Sequence, residues 1–242
     1  MPEIRILPKV NSTNSFLMKL VKANSVPNHF VVRTYDQTDG KGRENSTWFF
    51  NPKSSLAFSY LYKPDYLAAA DVFYLNVAVT TALLDHFQTL VKNTKIKWPN
   101  DIYLGDRKVC GILIQNRWIG KQIKESVIGV GVNVKQTTFP AHLSRATSLE
   151  AASGSRCDLN TVFESLLKAL KKQLELIDSK QLYILADRYI KNLYLKDQTH
   201  TFKLPNGDRL SGKITGVSHS GELQIKTEGR VLRFKDKEIS FF

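Results

Sequence analysis

Apolar and polar residues alternate along several segments of the chain with the period of two that is typical of β-strands. The clearest case is residues 54–62, where Leu56, Phe58 and Tyr60 fall on one face and smaller side chains on the other. This pattern predicts a half-buried strand. Shorter apolar runs predict further strands at residues 4–9, 29–35, 111–115 and 126–134.

Other segments carry the helical period. Residues 69–91 place Leu75, Val79 and Leu83 on one stripe, which predicts a core helix. The same spacing after Asp158, its expected N-cap, predicts a helix to residue 177, and another is expected over 181–192. Near the N-terminus, Ser12 or Thr13 is expected to cap a helix. The alternative for these hydroxyls is that they hold a polar ligand group.

From Tyr194 onward the pattern changes to short strands separated by turn signals at residues 205–208, 218–221 and 228–229. Five short strands in this length predict a small SH3-like β-barrel. Residues 136–148 are expected to form a loop. The predicted fold class is therefore α+β, with a mixed β-sheet flanked by helices in a domain of residues 1–193 and a barrel domain of residues 194–242.

Composition limits the function classes. The 242 residues carry 35 Lys and Arg against 22 Asp and Glu, a net charge of +13. This excess favours anionic substrates or an acidic partner, with nucleic acid as the alternative. We expect no membrane span, no secretory signal and a cytoplasmic protein. Cys110 and Cys157 have no metal-ligand spacing and are expected to be free thiols.

Three stretches carry candidate chemistry. Residues 97–113 combine a Trp-Pro pair, carboxylates and cations, which indicates a loop that docks an anion. Residues 37–48 place glycines beside Lys41 and Arg43, so their backbone can approach a phosphate or carboxylate, although a solvated basic turn is the alternative. This loop is neither a Walker A nor a Rossmann motif. Gly129 and Gly131 interrupt an apolar strand, which indicates close passage of backbone or ligand on one face.

Taken together and in their order along the chain, four motifs resemble those of the biotin protein ligases. They are Ser12-Thr13-Asn14, the loop of residues 37–48, Lys97-Trp98-Pro99-Asn100-Asp101 followed by Lys108-x-x-Gly111-Ile112-Leu113, and Gly129-x-Gly131-x-Asn133. The resemblance covers nearly the whole chain. It implies a class II synthetase-like catalytic domain that uses ATP and Mg²⁺ to form biotinoyl-5′-AMP, and then transfers biotin to a lysine of a carrier protein.

The resemblance also assigns candidate residues. The catalytic candidates are Lys108, Arg43 and Asp101, with Asp101 also expected to hold Mg²⁺ through ATP. The biotin site is expected to comprise Ser12, Thr13, Asn14, Gln37, Gly40, Lys41, Gly42, Arg43, Lys108 and Gly111. The nucleotide site is expected to comprise Arg43, Trp48, Asn100, Asp101 and Asn133. Cys110 is expected to take no part.

The chain departs from the family pattern in the glycine loop. Lys41 replaces an arginine and loses its bidentate fork, and Glu44-Asn45-Ser46 replace an Arg-Gly-Arg. No segment resembling a helix-turn-helix precedes the motifs, so we expect a monofunctional ligase without operator DNA binding. The expected partner is a biotin carboxyl carrier domain of a carboxylase, and the expected state is a monomer or homodimer. The alternatives are a lipoate ligase or octanoyltransferase, and a basic nucleic-acid-binding module.

Overall fold

The computed structural model describes residues 2–43 and 46–241. Its helices are α1 (Thr13–Lys22), α2 (Val72–Leu90), α3 (Leu149–Ser153), α4 (Leu159–Asp178) and α5 (Leu182–Lys191). The strands before the C-terminal region are β1 (Ile4–Leu7), β2 (Val31–Thr34), β3 (Gly40–Lys41), β4 (Thr47–Trp48), β5 (Ser55–Tyr62), β6 (Thr94–Lys97), β7 (Asp101–Leu104), β8 (Arg107–Ile119) and β9 (Gln122–Asn133). The C-terminal strands are β10 (Thr199–Lys203), β11 (Arg209–Val217), β12 (Leu223–Thr227), β13 (Arg230–Phe234) and β14 (Ser240–Phe241).

A seven-stranded mixed sheet organises the first three quarters of the chain. Its strand order is β1-β2-β5-β9-β8-β7-β6, with β1 and β2 parallel and the other neighbours antiparallel. Helices α2, α4 and α5 cover one face, and α1 packs on the other through Leu17 and Val21. The predicted mixed sheet flanked by helices is confirmed.

Burial of β5 differs from the prediction. Every residue of this strand is buried, because helices cover both faces of the sheet at its centre. The expectation of a half-buried strand was therefore wrong. The small residues Ser55, Ala57 and Ser59 face a covered side on which the polar residues make hydrogen bonds.

Residues 97–113 are also more regular than predicted. They contain the end of β6, all of β7 and the first half of β8, joined by two tight connections, so the docking loop predicted here is largely part of the sheet. Strand β8 extends well beyond the predicted residues 111–115 at both ends. The predicted loop 136–148 contains a single 3₁₀ turn, Ala141–Leu143, and α3, which follows it, was not predicted.

Helix starts follow local side-chain chemistry, as predicted. Ser12 caps α1 by accepting the Ser15 N–H at 3.4 Å. Asp158 caps α4 by accepting the amides of Asn160 and Thr161 at 3.0 and 2.9 Å. Helix α2 begins at Val72, three residues later than predicted, after a 3₁₀ turn.

The C-terminal residues form a five-stranded antiparallel sheet in the order β13-β12-β11-β10-β14. The five predicted strands are confirmed as one antiparallel sheet. Within residues 199–241, no pairing joins β13 to β14, so the strands of the predicted SH3-like barrel do not form a closed barrel. Its core residues Phe202, Ile214 and Ile225 belong to the same apolar cluster as the large sheet. The division at residue 193 stays a prediction. None of the helices in the described ranges is long and apolar enough to cross a membrane.

Candidate active site

A cavity of about 280 Å³ opens where the start of α1, the glycine loop and the middle of the large sheet meet. Twelve of the fourteen predicted site residues line it. They are Ser12, Thr13, Asn14, Gln37, Lys41, Gly42, Arg43, Trp48, Asn100, Asp101, Lys108 and Gly111. Motifs far apart in the chain therefore form one site.

Two predicted site residues lie away from the cavity wall. Gly40 is buried and pairs with Trp48 between β3 and β4, where a side chain would meet the Trp48 carbonyl oxygen at 2.6 Å. Asn133 is also buried, and its amide donates to the Thr147 carbonyl at 3.0 Å. Glu44 and Asn45, which depart from the family loop, lie outside the described residues.

The inner end of the cavity is a polar network. The Gln37 Oε1 atom accepts the Thr13 N–H at 3.0 Å and the Thr13 hydroxyl at 3.3 Å. Ser59, which is fully buried on β5, donates to Asn14 Oδ1 and contacts Thr13 Oγ1 at 2.8 Å. Asn14 in turn donates to the Leu113 carbonyl at 3.1 Å. Hydroxyls and amides thus line this end at fixed positions.

Sequence reasoning missed Ser59. It lies inside a strand whose apolar alternation was the only signal, and a serine on the small-residue face of such a strand has no pattern of its own. Its role depends on α1 packing above it, which brings Thr13 and Asn14 within hydrogen-bonding distance.

The glycines of β8 and β9 make room for side chains that cross the sheet. A methyl group at Gly129 would lie 2.3 Å from Asn14 Oδ1, and one at Gly131 would lie 2.4 Å from Cε2 of Trp48. The Trp48 ring also covers Gly111, where a methyl would lie 2.9 Å from it. The close passage predicted from Gly129 and Gly131 therefore exists, and in this structure protein side chains occupy it.

The outer end of the cavity is charged. Lys108 Nζ lies 2.7 Å from Asp101 Oδ1 and 5.6 Å from the centroid of the Trp48 ring. A bulge in the β7–β8 pairing places Lys108 opposite Tyr103 and Asp101 opposite Gly111. The Lys108 backbone is fixed as well, because its N–H donates to the Arg145 carbonyl at 2.7 Å. Both the backbone and the side chain of this lysine therefore have partners within the protein beside the Trp48 ring.

The Trp98-Pro99-Asn100 segment is fixed by its neighbours. Asn76 and Tyr189 both donate to the Pro99 carbonyl, at 2.6 and 2.8 Å. Asn100 donates its amide to the Ile112 carbonyl at 2.6 Å, which ties β7 to β8 beside the cavity. Trp98 donates its indole N–H to the Gly221 carbonyl at 2.9 Å, so the same segment holds the C-terminal sheet.

Three charged residues of the cavity lining were not predicted as site residues. Lys97 lies over the rings of Tyr103 and Phe241, and burial lowers the pKa of its ammonium group, with the nearby Asp101 charge opposing that shift. Asp236 and Lys237 reach the cavity from the C-terminal sheet. Lys97 lies in a motif that was singled out, but nothing in the sequence connects residues 236–237 to a site more than a hundred positions away.

Cys110 lies on β8 but is fully buried, and burial raises the pKa of its thiol. The thiol is therefore held protonated and away from the cavity. Cys157 is likewise buried, and both cysteines are free.

Comparison with known proteins places this site in a family. A sequence profile for the biotin/lipoate A/B protein ligase family matches residues 6–133, just over half of the chain. The bifunctional ligase/repressor BirA of Escherichia coli is 26% identical over 241 residues, covering 98% of this chain and 73% of that protein. The biotin–[acetyl-CoA-carboxylase] ligase of Mycobacterium tuberculosis is 24% identical over 234 residues, covering 95% and 85% of the two chains.

Solved structures show the same fold. The biotin protein ligase of Aquifex aeolicus in complex with biotin and ATP superposes with a TM-score of 0.81 at 23% identity, covering 99% of this chain and 98% of that one. The match includes the C-terminal sheet as well as the large sheet. Profile, relatives and fold agree with the motifs, and the chain belongs to the biotin/lipoate A/B protein ligase family.

Proposed function

We propose that this protein is a biotin protein ligase that activates biotin with ATP and transfers it to a lysine of a carrier domain. The observation that carries the proposal is the polarity of the cavity. Its inner end presents the hydroxyls and amides of Thr13, Asn14 and Gln37, and its outer end presents Arg43 and Lys108. A ligand with a polar ring system at one end and a carboxylate at the other fits this arrangement.

The inner end favours biotin over lipoate or an octanoyl group. A ureido group carries two N–H donors and a carbonyl acceptor, which can pair with buried hydroxyls and amides. A dithiolane or alkyl end could not join the hydrogen-bond network of Thr13, Asn14 and Gln37. It would remove water from any polar atom there that lacks a partner within the protein, at a cost of about 1–3 kcal/mol for each atom left unpaired. We therefore propose a site for biotin.

In the first step, a carboxylate oxygen of biotin attacks the α-phosphorus of ATP, the bond to the bridging oxygen of pyrophosphate breaks, and biotinoyl-AMP forms. Both partners are anions, so cations must offset their repulsion. In this proposal Lys108 contacts the reacting carboxylate and phosphate oxygens, and Arg43 and Lys41 contact the phosphate from the loop side. All three residues line the cavity.

In the second step, the neutral amine of the acceptor lysine attacks the acyl carbon, AMP leaves, and the amine proton passes to solvent. Both nucleophiles belong to the substrates, so the protein needs no nucleophile of its own. Its residues position the reactants and exclude water from the mixed anhydride. The loop of residues 37–48, with Trp48 on the cavity floor, is suited to that second role.

A magnesium ion fits the donor set only as a complex with ATP. No cluster of three or more His, Cys, Asp or Glu side chains in residues 2–43 and 46–241 is arranged to hold a metal. Asp101 lines the cavity and supplies one carboxylate, which suits Mg²⁺ because this ion is usually held by one or two carboxylates and substrate phosphates. Bound there, Mg²⁺ would offset phosphate charge.

The decisive experiment is biotin-dependent exchange of labelled pyrophosphate into ATP. Exchange that requires biotin and is not supported by lipoate or octanoate is expected. Transfer of labelled biotin to a purified carrier domain of a biotin-dependent carboxylase is then expected as the second half-reaction. Absence of exchange with folded wild-type protein would overturn the proposal. Exchange supported by lipoate would instead indicate a lipoate ligase.

Ligation without repression is part of the proposal, since all four motifs serve ligation. Binding to duplex DNA at physiological salt, measured by fluorescence anisotropy, tests this part separately. Tight, sequence-dependent binding would overturn monofunctionality and leave the ligase activity in place.

A further inference from the structure

Three cationic side chains are expected to contact phosphate: Lys41, Arg43 and Lys108. In this structure each of them is paired with a carboxylate. Lys41 Nζ lies 2.7 Å from Asp39 Oδ2, and Lys108 Nζ lies 2.7 Å from Asp101 Oδ1. The third pair differs because Arg43 Nη2 lies 3.0 Å from Oδ2 of Asp236, which comes from the C-terminal sheet. One cation of the glycine loop is thus held by the other part of the molecule.

The position of Asp236 is set by its own turn. Lys235 donates its N–H to the Glu238 carboxylate at 2.7 Å, and the Glu238 N–H donates to the Lys235 carbonyl at 3.1 Å. Lys237 adopts a φ of +65°, a left-handed conformation that non-glycine residues seldom adopt without a constraint. Ile239 anchors the turn in the core. The turn holds the Asp236 carboxylate at the cavity mouth without help from Arg43.

The Arg43 backbone is fixed as well. Ser46 donates both its N–H, at 3.0 Å, and its hydroxyl, at 2.7 Å, to the Arg43 carbonyl. Gly42 donates to the Ser46 carbonyl at 2.7 Å. The guanidinium can therefore change partner by rotation of its side chain alone. Both side chains of the ion pair are partly exposed, Arg43 at 38% and Asp236 at 28%, so a ligand phosphate can reach them.

We propose that Asp236 is a positioning residue that holds Arg43 while the nucleotide site is empty and competes with the nucleotide phosphate for its guanidinium. The inference rests on the proposed function, since it assumes a phosphate ligand for Arg43. A carboxylate and a phosphate present similar oxygen pairs to a guanidinium, and the phosphate carries more charge. ATP binding then exchanges one oxyanion for another and releases the C-terminal turn from the glycine loop.

The test is the KM for ATP in biotin-dependent pyrophosphate exchange, compared between wild type and Asp236→Asn. Removing the competitor is expected to lower this KM about two- to fivefold, the range for a partly exposed ion pair, with the effect on KM rather than kcat. Asp236→Glu keeps the carboxylate and is expected to restore the wild-type KM. An unchanged or raised KM in Asp236→Asn overturns the proposal.

Glu228→Gln is the matched control, because it removes a carboxylate paired with an arginine in the same sheet, at an exposed position outside the cavity. Its KM is expected to equal that of wild type. In an Arg43→Gln background, Asp236→Asn is expected to have no further effect, and an additive effect there refutes the coupling. Wild-type protein without exchange would refute the proposed function, whereas exchange with no response to Asp236→Asn refutes only this inference.

Discussion

Replacement of Gly131 by alanine is a sharp test of how the cavity floor is built. Gly131 lies near the C-terminal end of β9, paired with Ala57 of β5 and Gly111 of β8. Its new methyl would lie 2.4 Å from Cε2 and 2.6 Å from Nε1 of Trp48. The strand is held from both sides, so the ring must move. The ring reaches ordinary contact, at 3.4 Å, by moving about 1 Å.

The displacement is small, but it falls beside the reacting groups. A misplacement of about 1 Å in an active site can cost on the order of 10²-fold in rate. We expect pyrophosphate exchange to fall by about 10- to 100-fold in Gly131→Ala, equivalent to about 1.4–2.7 kcal/mol. Stability should fall by only about 1 kcal/mol, the low end for an overpacked site, because Trp48 lies on a strand of only two residues, which can shift.

Exchange kinetics and urea unfolding should be measured on Gly131→Ala and on the control Gly216→Ala. Gly216 also lies in a strand, but a methyl there meets nothing closer than 3.4 Å. The control is expected to keep wild-type exchange. If Gly131→Ala retains activity within about threefold of the control, the Trp48 ring does not set the geometry of the site and the reasoning fails.

Three further predictions follow from buried or paired groups. Lys108→Met should lower exchange by about 10²–10³-fold, as loss of one charge-stabilising donor does, while the exposed control Lys121→Met should not. Thr13→Val should cost about 1–3 kcal/mol in urea unfolding, because Gln37 and Ser59 lose a buried partner, and Thr13→Ser should restore it. Burial lowers the pKa of His86 from its ordinary 6.5. As the pH falls, this histidine is therefore protonated in the unfolded chain before it is protonated in the folded chain. The free energy of unfolding should therefore fall as the pH drops below about 6.5, and His86→Leu should weaken this pH dependence. An unchanged pH dependence in His86→Leu would contradict the prediction.

The features that sequence predicted well depend on local chemistry. Ser12 and Asp158 cap their helices because the side chain and the amides it accepts are two or three residues apart. Twelve of the residues that the resemblance singled out line the cavity, since each motif keeps its residues close together in the sequence.

What failed depends on contacts between distant segments. Burial of β5 on both faces requires α1 on one side and the longer helices on the other, and neither is visible in the alternation of residues 54–62. Closure of a barrel depends on whether β13 reaches β14, which turn signals do not encode. Asp236 joins the cavity because the C-terminal sheet docks beside it, through a shared apolar cluster and the Trp98 hydrogen bond to the Gly221 carbonyl.

The ion pairs of the cavity explain how a strongly basic protein keeps a cationic site ready. Lys41, Arg43 and Lys108 line one small cavity, where like charges would repel each other if left unpaired. Three carboxylates offset that repulsion, so each phosphate contact formed with a ligand replaces a contact already made within the protein. Nucleotide affinity then depends on how much more strongly each cation binds the phosphate than its own carboxylate. The number of cations alone does not set it. Neutralising a cavity carboxylate should accordingly tighten nucleotide binding where that carboxylate only competes, as proposed for Asp236, and weaken it where the carboxylate also holds the metal, as proposed for Asp101.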